Sequence, residues 1–149
     1  LKISPPLRTE EDRLALVQGI KDNLIDVIVS DHLPEDEESK RLPFAQAATG
    51  AIGIETLLPL ALEMFHNESL SLNKIIETLT INPSKILKIN KGSLKEGSDG
   101  DICIFDLETP WKLDAEQLKS KSKNTAIEER KLQGKVLMTY LNGELVFSN

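Results

Sequence analysis

The 149-residue sequence predicts an α/β fold on three observations. A helical pattern over residues 9–24 runs almost directly into the apolar stretch Val27-Ile28-Val29. That stretch does not alternate with polar residues, so both faces are expected to be buried, as in a parallel, helix-covered sheet. After about residue 90 helical spacing gives way to strand-like runs around Asn142-Gly143, the best short signal for a two-residue hairpin turn.

The elements follow in order. Thr9 can cap the first helix, and Glu10, Glu11 and Asp12 suit its positive end. Val17, Ile20 and Leu24 share one face with Leu16 beside them, and Asn23 stands near the stop. A strand is expected over residues 26–30; helix, short turn and buried strand make half of an α/β repeat. The loop over residues 33–50 is charged, carries Pro34 and Pro43, and is longer than an ordinary connection. A second helix starts near Gly53, with Ile54, Leu57, Leu58, Ala61, Leu62 and Phe65 as its apolar face. Pro59 must lie in its first turn or kink it. A third helix, over residues 71–80, buries Ile75, Ile76 and Leu79. A short fourth has Asn82 as cap and Pro83 at its first position, and ends at Lys91-Gly92. Gly97-Ser98-Asp99-Gly100 is a turn before a strand over residues 101–107. A polar stretch over residues 119–129 leads to the hairpin strands, 136–141 and 144–147.

Composition narrows the function classes. Hydrophobic residues make up 40%, ordinary for a packed core. A net charge of -6 without a basic tract argues against nucleic acid and anionic membranes as partners. The single cysteine, Cys103, excludes an internal disulfide framework and suits a reducing cytoplasm. No apolar run approaches the ~20 residues of a membrane span. No signal peptide is expected at the start, and Leu1-Lys2-Ile3-Ser4-Pro5-Pro6 reads like the interior of a longer chain, since the only methionines are Met64 and Met138.

Asp31 is the sharpest chemical candidate. Reactive groups in parallel α/β sheets sit at the carboxyl ends of strands, where a rigid strand fixes them. A carboxylate there can ligate a metal and accept a proton from metal-bound water; the plainer reading is a loop cap or a surface ion pair. His32 is read as a hydrogen-bond partner and His66 as a helix-end residue. Glu35-Asp36-Glu37-Glu38 is read as a solvated, lid-like loop, and Cys103 as inert core.

Four stretches, with Leu24-Ile25-Asp26 between the first two, together carry a resemblance: Ser4-Pro5-Pro6-Leu7-Arg8, Asp31-His32-Leu33-Pro34, Gly50-Ala51-Ile52-Gly53-Ile54-Glu55-Thr56, and Ser120-Lys121-Ser122-Lys123-Asn124-Thr125 with Gly134-Lys135-Val136. In this order they resemble the N-P-P-L-R, D-H-A-P-H, G-x-x-G-L-E-T and S-K-S-x-N-T…G-K-V segments of dihydroorotase, a metal-dependent amidohydrolase. The resemblance implies a (β/α)8 barrel plus a small β-sandwich, with residues 1–90 the last strand and helices of the barrel and 91–149 the sandwich portion. It implies interconversion of carbamoyl aspartate and dihydroorotate in pyrimidine biosynthesis, zinc as cofactor, a small-molecule substrate and a homo-oligomer. Hydantoinase or allantoinase chemistry is the alternative enzyme reading. The non-enzyme alternative is a silent partner of aspartate carbamoyltransferase.

The same resemblance assigns residues. Asp31 would hold metal, take a proton from the bridging water and pass it to the leaving amide nitrogen. Ser4, Glu35, Thr49 and Gly50 fall where the family binds substrate. Three of them depart from it: Ser4 replaces an asparagine, Glu35 replaces a histidine that holds the substrate carboxylate, and Ala48-Thr49 replace a proline and an aromatic. The remaining family metal ligands would lie upstream, so this chain alone is expected to be inactive.

Overall fold

The structure, a computed structural model, describes residues 2–149; Leu1 lies outside the described residues. Helix α1, Glu10–Lys21, begins on a capping box. Thr9 Oγ1 accepts the Asp12 N–H at 3.2 Å while the Asp12 carboxylate accepts the Thr9 N–H at 3.1 Å. Val17 and Ile20 are buried, but Leu24 is 78% exposed. The helix stops at Lys21 and Asn23 turns into the left-handed region at φ 59°, which ends the phase that would have carried Leu24 inward.

The segment expected as a strand over residues 26–30 joins no ladder among the described residues. Ile25 and Ile28 pack against the core of Val17, Ile20, Ala61, Leu70 and Ile75. Val29, on the opposite face, is 70% exposed in this stretch of chain, where burial on both faces is expected. The Ile28 N–H donates to the Thr78 carbonyl at 3.2 Å, and Asn82 Nδ2 to the Asp26 carbonyl at 3.0 Å.

Within the long loop the acid run forms a one-turn helix, α2, Glu37–Arg41. Asp36 caps it, and Glu37 and Glu38 both pair with Arg41. Helix α3, Leu57–His66, holds Pro59 in its first turn, where no helical hydrogen bond is lost. Helix α4, Leu72–Leu79, is capped by Ser71. Helix α5, Ile81–Leu87, starts two residues earlier than the Asn-Pro signal suggested; Asn82 lies inside it, its side chain spent on Asp26. It ends at Lys88 in the left-handed region rather than at Lys91-Gly92.

Strands β1, Ile102–Lys112, β2, Lys131–Leu141, and β3, Glu144–Ser148, form an antiparallel sheet in chain order. The β2–β3 turn is Asn142-Gly143, with φ 51° and 83°, as a primed hairpin turn requires. Cys103 is exposed on β1, not core, although partial burial raises its thiol pKa. Gly134 joins the sheet to α3. A Cβ there would stand 2.6 Å from Leu62 Cδ1, while Trp111 Nε1 donates to the Gly134 carbonyl at 2.8 Å. Only glycine lets β2 approach the fully buried Leu62 this closely.

Candidate functional site

The segment over residues 26–30 delivers Asp31 in the left-handed region, φ 44°, a conformation that aspartate tolerates better than most residues. The next residue locks it in place. His32 Nδ1 accepts the N–H groups of Gly53 and Ile54 at 3.1 and 3.3 Å. A ring nitrogen that accepts two bonds carries no proton, so the histidine is a structural clasp between the two loops. Leu33 N–H then donates to the Ala51 carbonyl at 3.0 Å.

Gly50 stands on the facing side at φ 148°, and a Cβ there would meet the Leu33 carbonyl at 2.7 Å. Its N–H donates to the Lys2 carbonyl at 3.1 Å, which brings the start of the chain alongside. The carbonyl of Gly50 accepts Lys40 Nζ at 2.7 Å and Asn124 Nδ2 at 3.1 Å. Downstream, Ile52 N–H donates to the Asn124 carbonyl at 3.0 Å and forms a parallel bridge with Thr125.

These bonds surround a cavity of about 340 Å³ lined by Ser4, Asp31 and Gly50 with Ile52, Leu57 and Ile127. Its size lies within the range of small-molecule sites, and its wall is mostly apolar with few polar groups. Three separate sequence motifs therefore meet in one place. Glu35 does not share it; with Lys121, Ser122, Lys123 and Asn124 it lines a neighbouring hollow. Its backbone is tied there, the N–H to Asn124 Oδ1 at 3.4 Å and the carbonyl to Ser122 Oγ at 2.8 Å. Thr49 is half-buried and lines neither. Lys40 had no sequence signal, because its partners are backbone carbonyls. Ser122 and Asn124 had one only as letters of a tail motif.

The amidohydrolase family model matches residues 4–146. The chain belongs to the amidohydrolase family. Among its amidohydrolase relatives, the dihydroorotase of Ehrlichia canis (strain Jake) is 44% identical over 147 residues, 99% of this chain and 33% of that protein. The dihydroorotase of Aquifex aeolicus is 43% identical over 148 residues, 99% of this chain and 35% of that protein. The L-hydantoinase structure from Arthrobacter aurescens superposes with a TM-score of 0.91 at 33% identity, over 99% of this chain and 34% of that one. The chain thus spans about a third of the length of the curated relatives it matches. The names of the two curated relatives agree with the dihydroorotase motifs, and the solved hydantoinase agrees with the expected α/β, barrel-type fold class. Amidohydrolases generally depend on metal. Among the described residues no group of three or more His, Cys, Asp or Glu side chains gathers to hold one. Asp31 is the only such residue on the cavity wall among the described residues, so these residues alone do not make up a metal centre. No helix among the described residues is long and apolar enough to cross a membrane.

Proposed function

We propose that this chain forms part of a dihydroorotase, interconverting carbamoyl aspartate and dihydroorotate in pyrimidine biosynthesis. The observation that carries the reading is the convergence of Ser4, Asp31 and Gly50 on one cavity from three motifs distant in sequence. In the hydrolytic direction water adds to the ring carbonyl and the C–N bond breaks. Asp31 takes the proton that water loses and returns it to the departing ring nitrogen, so its carboxylate ends as it began. Ser4 offers its hydroxyl to the ring, and Gly50, whose own N–H and carbonyl are engaged within the chain, gives it a wall without a side chain. Glu35, in the neighbouring hollow, and Thr49 stand outside that cavity. Zinc, the metal this reading carries, would find one carboxylate ligand here. The barrel portion is taken to end near residue 90, a boundary supported by the last helix closing at Leu87 and the first strand opening at Ile102. A homo-oligomer in the cytoplasm completes the reading.

The test is turnover by the complete protein that carries this chain. Dihydroorotate and carbamoyl aspartate should interconvert, and hydantoin and dihydrouracil should react more slowly. A preference for hydantoin would install the hydantoinase reading, which the Arthrobacter aurescens likeness favours. Turnover of neither ring, with co-purification of aspartate carbamoyltransferase, would make the protein a silent partner; the departures at Ser4 and Glu35 favour that reading.

A further inference from the structure

Lys40 belongs to no motif above, yet its ammonium group is the point where the walls of the cavity are tied together. Nζ donates to three backbone carbonyls: Gly50 at 2.7 Å, Ala48 at 2.8 Å and Lys2 at 2.9 Å. An ammonium has three N–H donors, and three acceptors use all of them. Lys40 therefore has nothing left to offer a substrate directly. Its acceptors lie on two chain segments, one leading into Ser4 and the other containing Gly50, so a single cation fixes the separation of two cavity walls. Lys2 answers from the opposite side, with Nζ donating to the carbonyls of Ala47 at 2.9 Å and Ala45 at 3.2 Å.

The acid run explains how Lys40 is aimed. The Asp36 carboxylate accepts the N–H groups of Glu38 and Ser39 at 3.0 and 3.3 Å, and the Asp36 carbonyl accepts the Lys40 N–H at 3.2 Å. Glu37 and Glu38 hold Arg41 on the exposed side, which leaves Lys40 as the cation of α2 turned inward.

We infer that Lys40 is a positioning residue of the cavity. It acts through the Lys2 and Gly50 carbonyls to set the distance between Ser4 and Gly50, and so the fit of the ring substrate. The inference rests on the dihydroorotase reading for the identity of the ring; the tether itself does not depend on it.

The experiment compares the complete protein with Lys40→Met, which keeps a similar apolar stem and no donor. KM for dihydroorotate should rise about tenfold while kcat changes less than about threefold, the split expected when substrate fit is lost and the chemistry is kept. Amide hydrogen exchange should quicken at Gly50 and Ile52 and stay unchanged in β2 and β3. A KM within about twofold of the unaltered protein, whatever the melting temperature does, overturns the inference. Should Lys40→Met fail to fold, Lys40→Arg keeps the charge but presents a flat fork to three converging carbonyls. It should raise KM in the same sense, and an unchanged KM again overturns the inference. If the unaltered protein turns over no dihydroorotate, the functional reading fails separately. The exchange pattern then decides the tether: local quickening at Gly50 and Ile52 upholds it, and its absence overturns it.

Discussion

Asn124 donates from Nδ2 to the carbonyl of Gly50 across 3.1 Å, although 74 residues separate them. With its carbonyl on the Ile52 N–H at 3.0 Å, this one residue fastens the segment before β2 to the cavity wall. Asn124→Ala removes the Nδ2 donor from the Gly50 carbonyl and the Oδ1 acceptor from the Glu35 N–H, while the Ile52 bond, made by the Asn124 backbone carbonyl, stays. The expected loss is about 1–3 kcal/mol of unfolding free energy, read from the urea midpoint at unchanged m-value. A midpoint equal to that of the unaltered protein would mean that water replaces the amide at no cost.

Asp31→Asn separates chemistry from backbone. Asparagine is well suited to φ 44°, so the loop should keep its shape, and the proton acceptor is lost. In the complete protein kcat should fall about a thousandfold with little change in melting temperature. Activity within a few-fold of the unaltered protein would remove Asp31 from the reaction.

Gly50→Ala and Gly97→Ala make a matched pair. Both glycines have positive φ, 148° and 84°, but a Cβ on Gly50 meets the Leu33 carbonyl at 2.7 Å and a Cβ on Gly97 meets nothing within 4 Å. Gly97→Ala should cost about 1 kcal/mol from backbone strain alone, and Gly50→Ala clearly more. Equal losses in chemical denaturation would contradict the close approach of Leu33 to Gly50.

Asp101 ties the hairpin turn to the segment after α5. One oxygen accepts the Asn142 N–H at 2.8 Å and the other lies 2.5 Å from Lys91 Nζ. The Asn142 N–H, then Lys91, hold the Asp101 carboxyl below the ordinary aspartate range; Asp101 and Asp99 hold the Lys91 ammonium above the ordinary lysine range. A depressed carboxyl contributes stability above about pH 4 and loses it as pH falls through its folded value. A raised ammonium contributes below about pH 10 and loses it as pH rises further. Asp101→Asn should therefore lower the urea midpoint at neutral pH and lower it less at about pH 3. An equal difference at both pH values would assign the effect to packing.

Glu35→His restores the histidine of the D-H-A-P-H motif at a position that lines the hollow beside the Asp31 cavity. KM for dihydroorotate should stay within about threefold of the unaltered complete protein. A rise beyond tenfold would show that Glu35 itself contacts the substrate.

Local chemistry made much of this chain legible in its letters. Thr9 with Asp12, Ser71, Pro59 and Asn142-Gly143 act through neighbours a few residues away, so the sequence by itself determined the caps, the helix starts they mark and the hairpin. Ordered motifs likewise determined the amidohydrolase membership. Partners far along the chain decided the rest. Leu24 matched the helical spacing but fell past the helix stop, Asn82 spent its side chain on Asp26, and Cys103 lies exposed on β1. The motifs led one to expect Ser4, Asp31 and Gly50 together, but Glu35 set apart in a separate hollow and Lys40 binding the walls belong to tertiary structure alone. The bonds that fix it end on backbone carbonyls and N–H groups, which every residue carries, so no pattern of side-chain types could have announced them.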